Sequence, residues 1–248
     1  MNNALLVARR ELRAYTSSML GYVVVAVGLL LIGVLFMVRA IGTGPQLSSD
    51  VLSRFFGGSD QLSGFGATGV IAVAALVLSM RQLAGEREQG TLVLLNTAPI
   101  KNSEIIASKF LAGMIVLFVM TAATAYMPAL IFVNGKVSVG QILVGYLGVL
   151  LYAGAALALG LFASALAQSQ VLALVIGLPI YVVLNLLWLA ARQTDPPLNE
   201  FIAGLGLYQH QGQFTKGVLR LENVVYYVGI SYFFLLAATK TLEARRWR

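Results

Sequence analysis

From Val137 to Ala191 the chain runs for 55 residues without one charged side chain. A helix that crosses a bilayer needs about 20 apolar residues at ~1.5 Å each, so this run is too long for one span and long enough for two. Its only dense polar patch is "SALAQSQ" (Ser164–Gln170), which predicts the turn between them. Four further uncharged runs, Ala14–Val38, Gln61–Met80, Phe110–Gly135 and Asn223–Thr239, are each of spanning length or close to it. Inside a bilayer every backbone polar group must be satisfied within the chain, which selects helices here. The expectation is an all-α integral membrane protein forming one transmembrane domain over residues 1–248. Its six spans lie near 18–38, 63–83, 106–133, 138–163, 169–191 and 221–239. Only 11% of residues are charged and 58% are hydrophobic, whereas a soluble domain carries roughly 25% charge.

With six spans both termini share one side. Eleven of the 17 Lys and Arg residues fall on that side, so the positive-inside rule predicts that both termini are cytoplasmic. The net charge of +7 reads as anchoring and orientation at the membrane rather than as a nucleic-acid surface. Arg9, Arg10 and Arg13 precede a run too long for a signal-peptide core. Residues 2–17 predict an interfacial amphipathic helix, with Leu5, Ala8, Leu12 and Tyr15 on one face and the three arginines on another. Residues 39–62 form a short loop on the far side. A second far-side segment, 192–220, opens with "TDPP" and is too apolar for a plain loop and too interrupted for a span, which suggests a pair of short half-buried helices. The basic, Trp-bearing tail "KTLEARRWR" predicts a membrane-edge anchor.

The apolar runs hold no ionisable side chain, which argues against a proton- or ion-coupled pump. Pro128 and Pro179 read as helix kinks. His210 is the single histidine, better read as a packing or surface residue than as a base, and seven scattered Met residues read as core filler. There is no cysteine and no metal-ligand spacing, so no metal site is expected. No phosphate-binding Gly-x-x-x-x-Gly-Lys-Ser/Thr motif is present. The chain is therefore expected to be no enzyme and to bind no cofactor, and active transport would draw its energy from a partner.

The densest charge cluster is "GEREQGTLVLLNTAPIKNSE" (Gly85–Glu104), between spans two and three. Arg81 to Asn96 has helical composition apart from Gly85 and Gly90. Glu86, Arg87, Glu88 and Gln89 make one polar turn and Thr91 to Leu95 an apolar one. Pro99 disfavours helix at Ala98, and Ser103 offers a cap for span three. From the residues alone this is either an ordinary amphipathic loop or a helix that docks in a groove of a soluble partner.

The run "GEREQGTLVLLNTAPIKNSEIIASKF" resembles the cytoplasmic segment of ABC-2-type transporter permeases. The beginning, "RRELRAYTSSMLGYVVVAVGLLLIGVLF", and the end, "HQGQFTKGVLRLENVVYYVGISYFFLLAATKTLEARRW", resemble the gliding-motility-type branch. Nitrous-oxide-reductase-associated permeases are near in pattern. The resemblance implies a dimeric permease of the bacterial inner membrane, with two cytoplasmic ATPase subunits that hold ATP and Mg. The second membrane subunit would be another copy or a related chain with a large extracytoplasmic domain. By the same resemblance the ATPase contact falls on Glu86, Arg87, Glu88, Gln89, Gly90, Thr91, Leu92 and Leu95. The interfacial helix would contribute Arg9, Arg10, Glu11, Leu12 and Tyr15. A re-entrant extracytoplasmic pair near Leu198–Leu219, including His210, Phe214 and Gly217, would close the outer end of the pathway. The implied function is export or force transmission driven by the partner's ATP hydrolysis; the competing class is an ATP-independent secondary transporter or channel.

Overall fold

The computed structural model describes residues 9–15, 18–38, 48–57, 66–90, 101–134, 138–195 and 198–246. A short helix, α1 (9–15), precedes α2 (Met19–Phe36). Then come α3 (Ser48–Phe56), α4 (Ala67–Glu88), α5 (Asn102–Ala123), α6 (Tyr126–Asn134), α7 (Val139–Leu166) and α8 (Gln170–Arg192). Two short helices, α9 (Leu198–Gly204) and α10 (Leu207–Thr215), lead into α11 (Leu221–Arg246). Six of these segments are long and apolar enough to cross a membrane: α2, α4, α5 continued by α6, α7, α8 and α11. No strand occurs among the described residues.

Serines start three of the spans. Ser18, Ser138 and Ser169 each accept a hydrogen bond from the backbone N–H three residues on, at Gly21, Gln141 and Leu172, which satisfies a first-turn donor. Ala167 is extended and Ser169 caps α8, so the turn falls inside the polar patch expected to hold it. Span three begins earlier than its apolar run. Lys101 is its N-cap, Glu104 accepts from the Lys101 N–H at 3.3 Å, and Ser103, expected as the cap, lies within the first turn. Pro128 has no N–H to offer Thr124, and the helix is interrupted at Thr124–Ala125. Pro179 sits inside α8 without interrupting it.

The centre of the bundle is α7, which packs against α4, α5, α8, α10 and α11. Its stretch "YAGAALALG" (Tyr152–Gly160) is buried throughout. Small residues let neighbouring helices approach closely, which matters in lipid, where association rests on packing rather than on exclusion of water. At the end carrying both termini, Leu83, Ile106, Leu161, Ala165, Ala238 and Leu242 pack together. At the distal end α3 and α10 press onto the start of α7. Phe56 lies over Gly145 and Phe214 over Gly148, where a Cβ on either glycine would overlap the ring. By contrast α2 and α8 leave most of their length uncovered by the rest of the chain.

Candidate functional site

The terminal end of the bundle holds four charges within contact of one another. Lys109, in the second turn of α5, is fully buried. Its Nζ donates to Glu11 Oε1 at 3.1 Å and to Glu86 Oε1 at 2.7 Å. Arg10 approaches the same two oxygens at 4.0 and 3.8 Å. Two cations against two carboxylates leave the cluster neutral, the condition under which charge can be held away from water. It joins the end of α4 to the start of α5, 23 residues apart at Glu86 and Lys109, and both to α1, with Glu11 98 residues from Lys109. Tyr15 adds a second tie: its hydroxyl donates to Leu78 O at 3.2 Å. Burial pushes that phenol well above its usual range, so it stays a neutral donor.

Glu86 reaches Lys109 because α4 does not end as a plain α-helix. Arg81–Gly85 form a π-helical turn. Ser164 of α7 sits against that turn: its hydroxyl donates to Met80 O at 2.9 Å and accepts from the N–H groups of Leu83 and Ala84 at 3.2 and 2.9 Å. A π-turn displaces backbone groups from their α partners, and here one serine on the neighbouring helix takes them up. Past the turn, Arg87 donates to the carbonyls of Ala165 and Ala167, which close α7. Glu88 accepts from the Gln170 N–H at 3.4 Å, at the start of α8. The polar turn expected at Glu86–Gln89 is thus the end of span two, fastened to α5 on one side and to the α7–α8 turn on the other.

The helix expected over Arg81–Asn96 differs from what is found. Gly90 adopts φ +71, a left-handed conformation, and the helix stops there. A side chain would be strained at that φ, and glycine is not. Thr91, Leu92 and Leu95 lie outside the described residues. Glu86 is turned into the chain's own cluster, while Glu88, Gln89 and Gly90 are exposed. On α1, Arg9, Arg10 and Arg13 are exposed as expected, Tyr15 is buried and Leu12 packs on the core. Leu5 and Ala8 lie outside the described residues. Glu11 joins the buried face because it stands one helical turn before Tyr15.

Sequence reasoning missed Lys109. In the sequence Lys109 counts only among the eleven charges that orient the chain, just outside the uncharged run Phe110–Gly135. The structure corrects this: Glu86 lies within α4 and Lys109 within α5, both in spanning segments, and they pair with each other. The available signal was a lysine seven residues into α5, with only apolar and small residues beyond it for three turns.

At the distal end Phe214 is fully buried, and Gly217 (φ +78) closes α10. The Gly217 and Val218 N–H groups bond back to Phe214 and Gln213. His210 stacks on Tyr226 with ring centroids 3.9 Å apart. Its Nδ1 lies 2.7 Å from Asn223 Oδ1 and its Nε2 3.0 Å from Gly204 O, so the ring bridges α9, α10 and α11. Among the described residues no group of His, Cys, Asp and Glu could hold a metal.

Residues 6–210 match the sequence model of the family described as ABC-2 family transporter protein. No curated protein sequence matches the chain.

Proposed function

The chain belongs to the ABC-2 family of transporter proteins, and on that premise we propose that it is the permease subunit of an ATP-binding-cassette transporter whose terminal end receives the stroke of a partner ATPase. The observation that carries this reading is the neutral cluster built on the buried Lys109 and Glu11 and the part-buried Glu86, with the exposed Arg10 at its edge. It joins α1, α4 and α5 into one mechanical unit, and the exposed Glu88 and Gln89 lie immediately beyond it. A push on this end would move two spans together rather than one loop alone, which is what coupling to a soluble motor requires.

The excess of Lys and Arg on this side favours a cytoplasmic location for it. In this reading two ATPase copies, carrying ATP and Mg, bind below a pair of membrane subunits in a bacterial inner membrane. The partner membrane subunit is a second copy or a related chain with an extracytoplasmic domain. Export or force transmission follows, and the quoted terminal segments favour the gliding-motility-type branch. Phe214 seats on Gly148, nine residues and ~14 Å along α7 from Val139, which supports a re-entrant role for α9 and α10 as the outer gate.

The test is co-expression with the stand-alone ATP-binding-cassette ATPases of the source genome, read by copurification. Glu88→Arg with Gln89→Arg is expected to abolish copurification or to uncouple ATP hydrolysis while leaving the permease folded. Normal copurification together with a normal ATPase rate would overturn the assignment.

A further inference from the structure

A cavity of about 420 Å³ opens at the distal end, between the last turns of α8 and the two short helices. That size is within the range of small-ligand sites. Its lining includes two cations, Arg192 and Lys216, and no carboxylate. Arg192 lies over the ring of Trp188 at 4.9 Å, a contact that orients the guanidinium. The hydroxyls of the wall are already engaged: Tyr208 donates to Gly57 O and Thr215 to Gly212 O. Gln213 accepts from Asn223 Nδ2 through its oxygen, so its remaining group is an N–H donor. The cavity therefore presents two cations, the Gln213 N–H donor and the Asn199 and Gln209 carboxamides, which can donate, to whatever enters, and this suits an oxyanion such as a phosphate.

The outside of α8 indicates what carries that anion. Val182, Leu186 and Leu189 are exposed and spaced at i, i+4 and i+7, so they form one stripe along the helix. Arg192, three residues beyond Leu189, continues the stripe into the cavity. An anionic group at one end of an exposed apolar track matches a lipid: headgroup phosphate in the cavity, acyl chain along α8. A free phosphate would use the cations and leave the track without a role.

We propose that this cavity binds the phosphate headgroup of an anionic phospholipid, with Arg192 and Lys216 as its charge partners and the Val182–Leu186–Leu189 stripe as the acyl-chain track. The site lies at the opposite end of the bundle from the proposed ATPase contact. Its existence does not depend on that reading.

The chain has two tryptophans, Trp188 and Trp247, so Trp247→Phe leaves Trp188 as the single tryptophan, excited selectively at the red edge beyond tyrosine absorption. Dibrominated phosphatidylglycerol and dibrominated phosphatidylcholine are titrated against this variant in detergent micelles, and quenching is read. Phosphatidylglycerol is expected to quench at about tenfold or more lower concentration, the scale of two basic contacts at a membrane surface. Arg192→Gln with Lys216→Gln should abolish the preference, and Arg192→Lys with Lys216→Arg should keep it, which separates lost charge from lost folding. Equal quenching by the two lipids, or a preference unchanged in the neutral pair, would overturn the proposal. Inorganic phosphate at millimolar concentration forms the third arm. If it displaces phosphatidylglycerol completely at concentrations no higher than the lipid's own, the site is one for soluble phosphate and the lipid assignment fails.

Discussion

Replacing Lys109 with Met tests the buried cluster most directly. The side chain is fully buried, and its two carboxylate partners are only 9% and 17% exposed. At an effective dielectric of about 20, each of its contacts, 2.7 and 3.1 Å long, carries ~5–6 kcal/mol of attraction before desolvation. Desolvation of three charges offsets most of that, so the intact cluster adds little net stability. Removing the lysine alone is different, because Glu11 and Glu86 then stay sequestered beside each other. Arg10, 65% exposed and at the limit of contact, compensates weakly. The expected loss is ~3–5 kcal/mol. Glu11→Gln, Glu86→Gln and Lys109→Met combined should recover to within about 1 kcal/mol of the parent, since no uncompensated charge remains. The assay is reversible unfolding in mixed micelles by added denaturing detergent, followed by circular dichroism. A Lys109→Met protein as stable as the parent, or a triple variant as unstable as the single one, would refute the reasoning.

Ser164→Ala removes the hydroxyl that serves Met80, Leu83 and Ala84, and should cost ~1–3 kcal/mol. Hydrogen exchange at the Leu83 and Ala84 amides should rise at least tenfold, and unchanged exchange would show that the π-turn holds itself. Gly148→Ala places a methyl where the Phe214 ring lies and should destabilise the chain by ~1–3 kcal/mol. Thermal unfolding in detergent reads this, and an unchanged midpoint would refute the close approach of Phe214 Cβ and Cγ to Gly148.

Five uncharged runs, one of them long enough for two spans, indicated the number and order of the spanning helices, because the bilayer leaves the backbone no other way to satisfy itself. The polar patch at Ser164–Gln170 marked the α7–α8 turn, and "TDPP" was followed by two short helices as the interrupted apolar pattern suggested. Two kinds of feature were not legible. Gly90 stood inside a segment of otherwise helical composition, and only its φ decides that the helix ends there. The pairing of Lys109 with Glu11 and Glu86 spans 98 and 23 residues, and no local period encodes such a contact. Ser164, expected in the turn, lies instead inside α7, and its bonds to α4, about 80 residues away, are visible only after the helices pack.

The π-turn at Arg81–Gly85 has a geometric consequence for everything after it. It accommodates about one residue more than an α-turn would, and one residue of α-helix corresponds to a rotation of ~100°. The azimuth of Glu86, Arg87 and Glu88 is therefore set by that single added residue, much as a keyway sets a shaft. If the turn relaxed to regular α-helix, Glu86 would swing off Lys109 and Arg87 would leave the carbonyls of Ala165 and Ala167 together. The fastening of span two to its neighbours on both sides thus depends on one five-residue segment and on the serine that holds it wound.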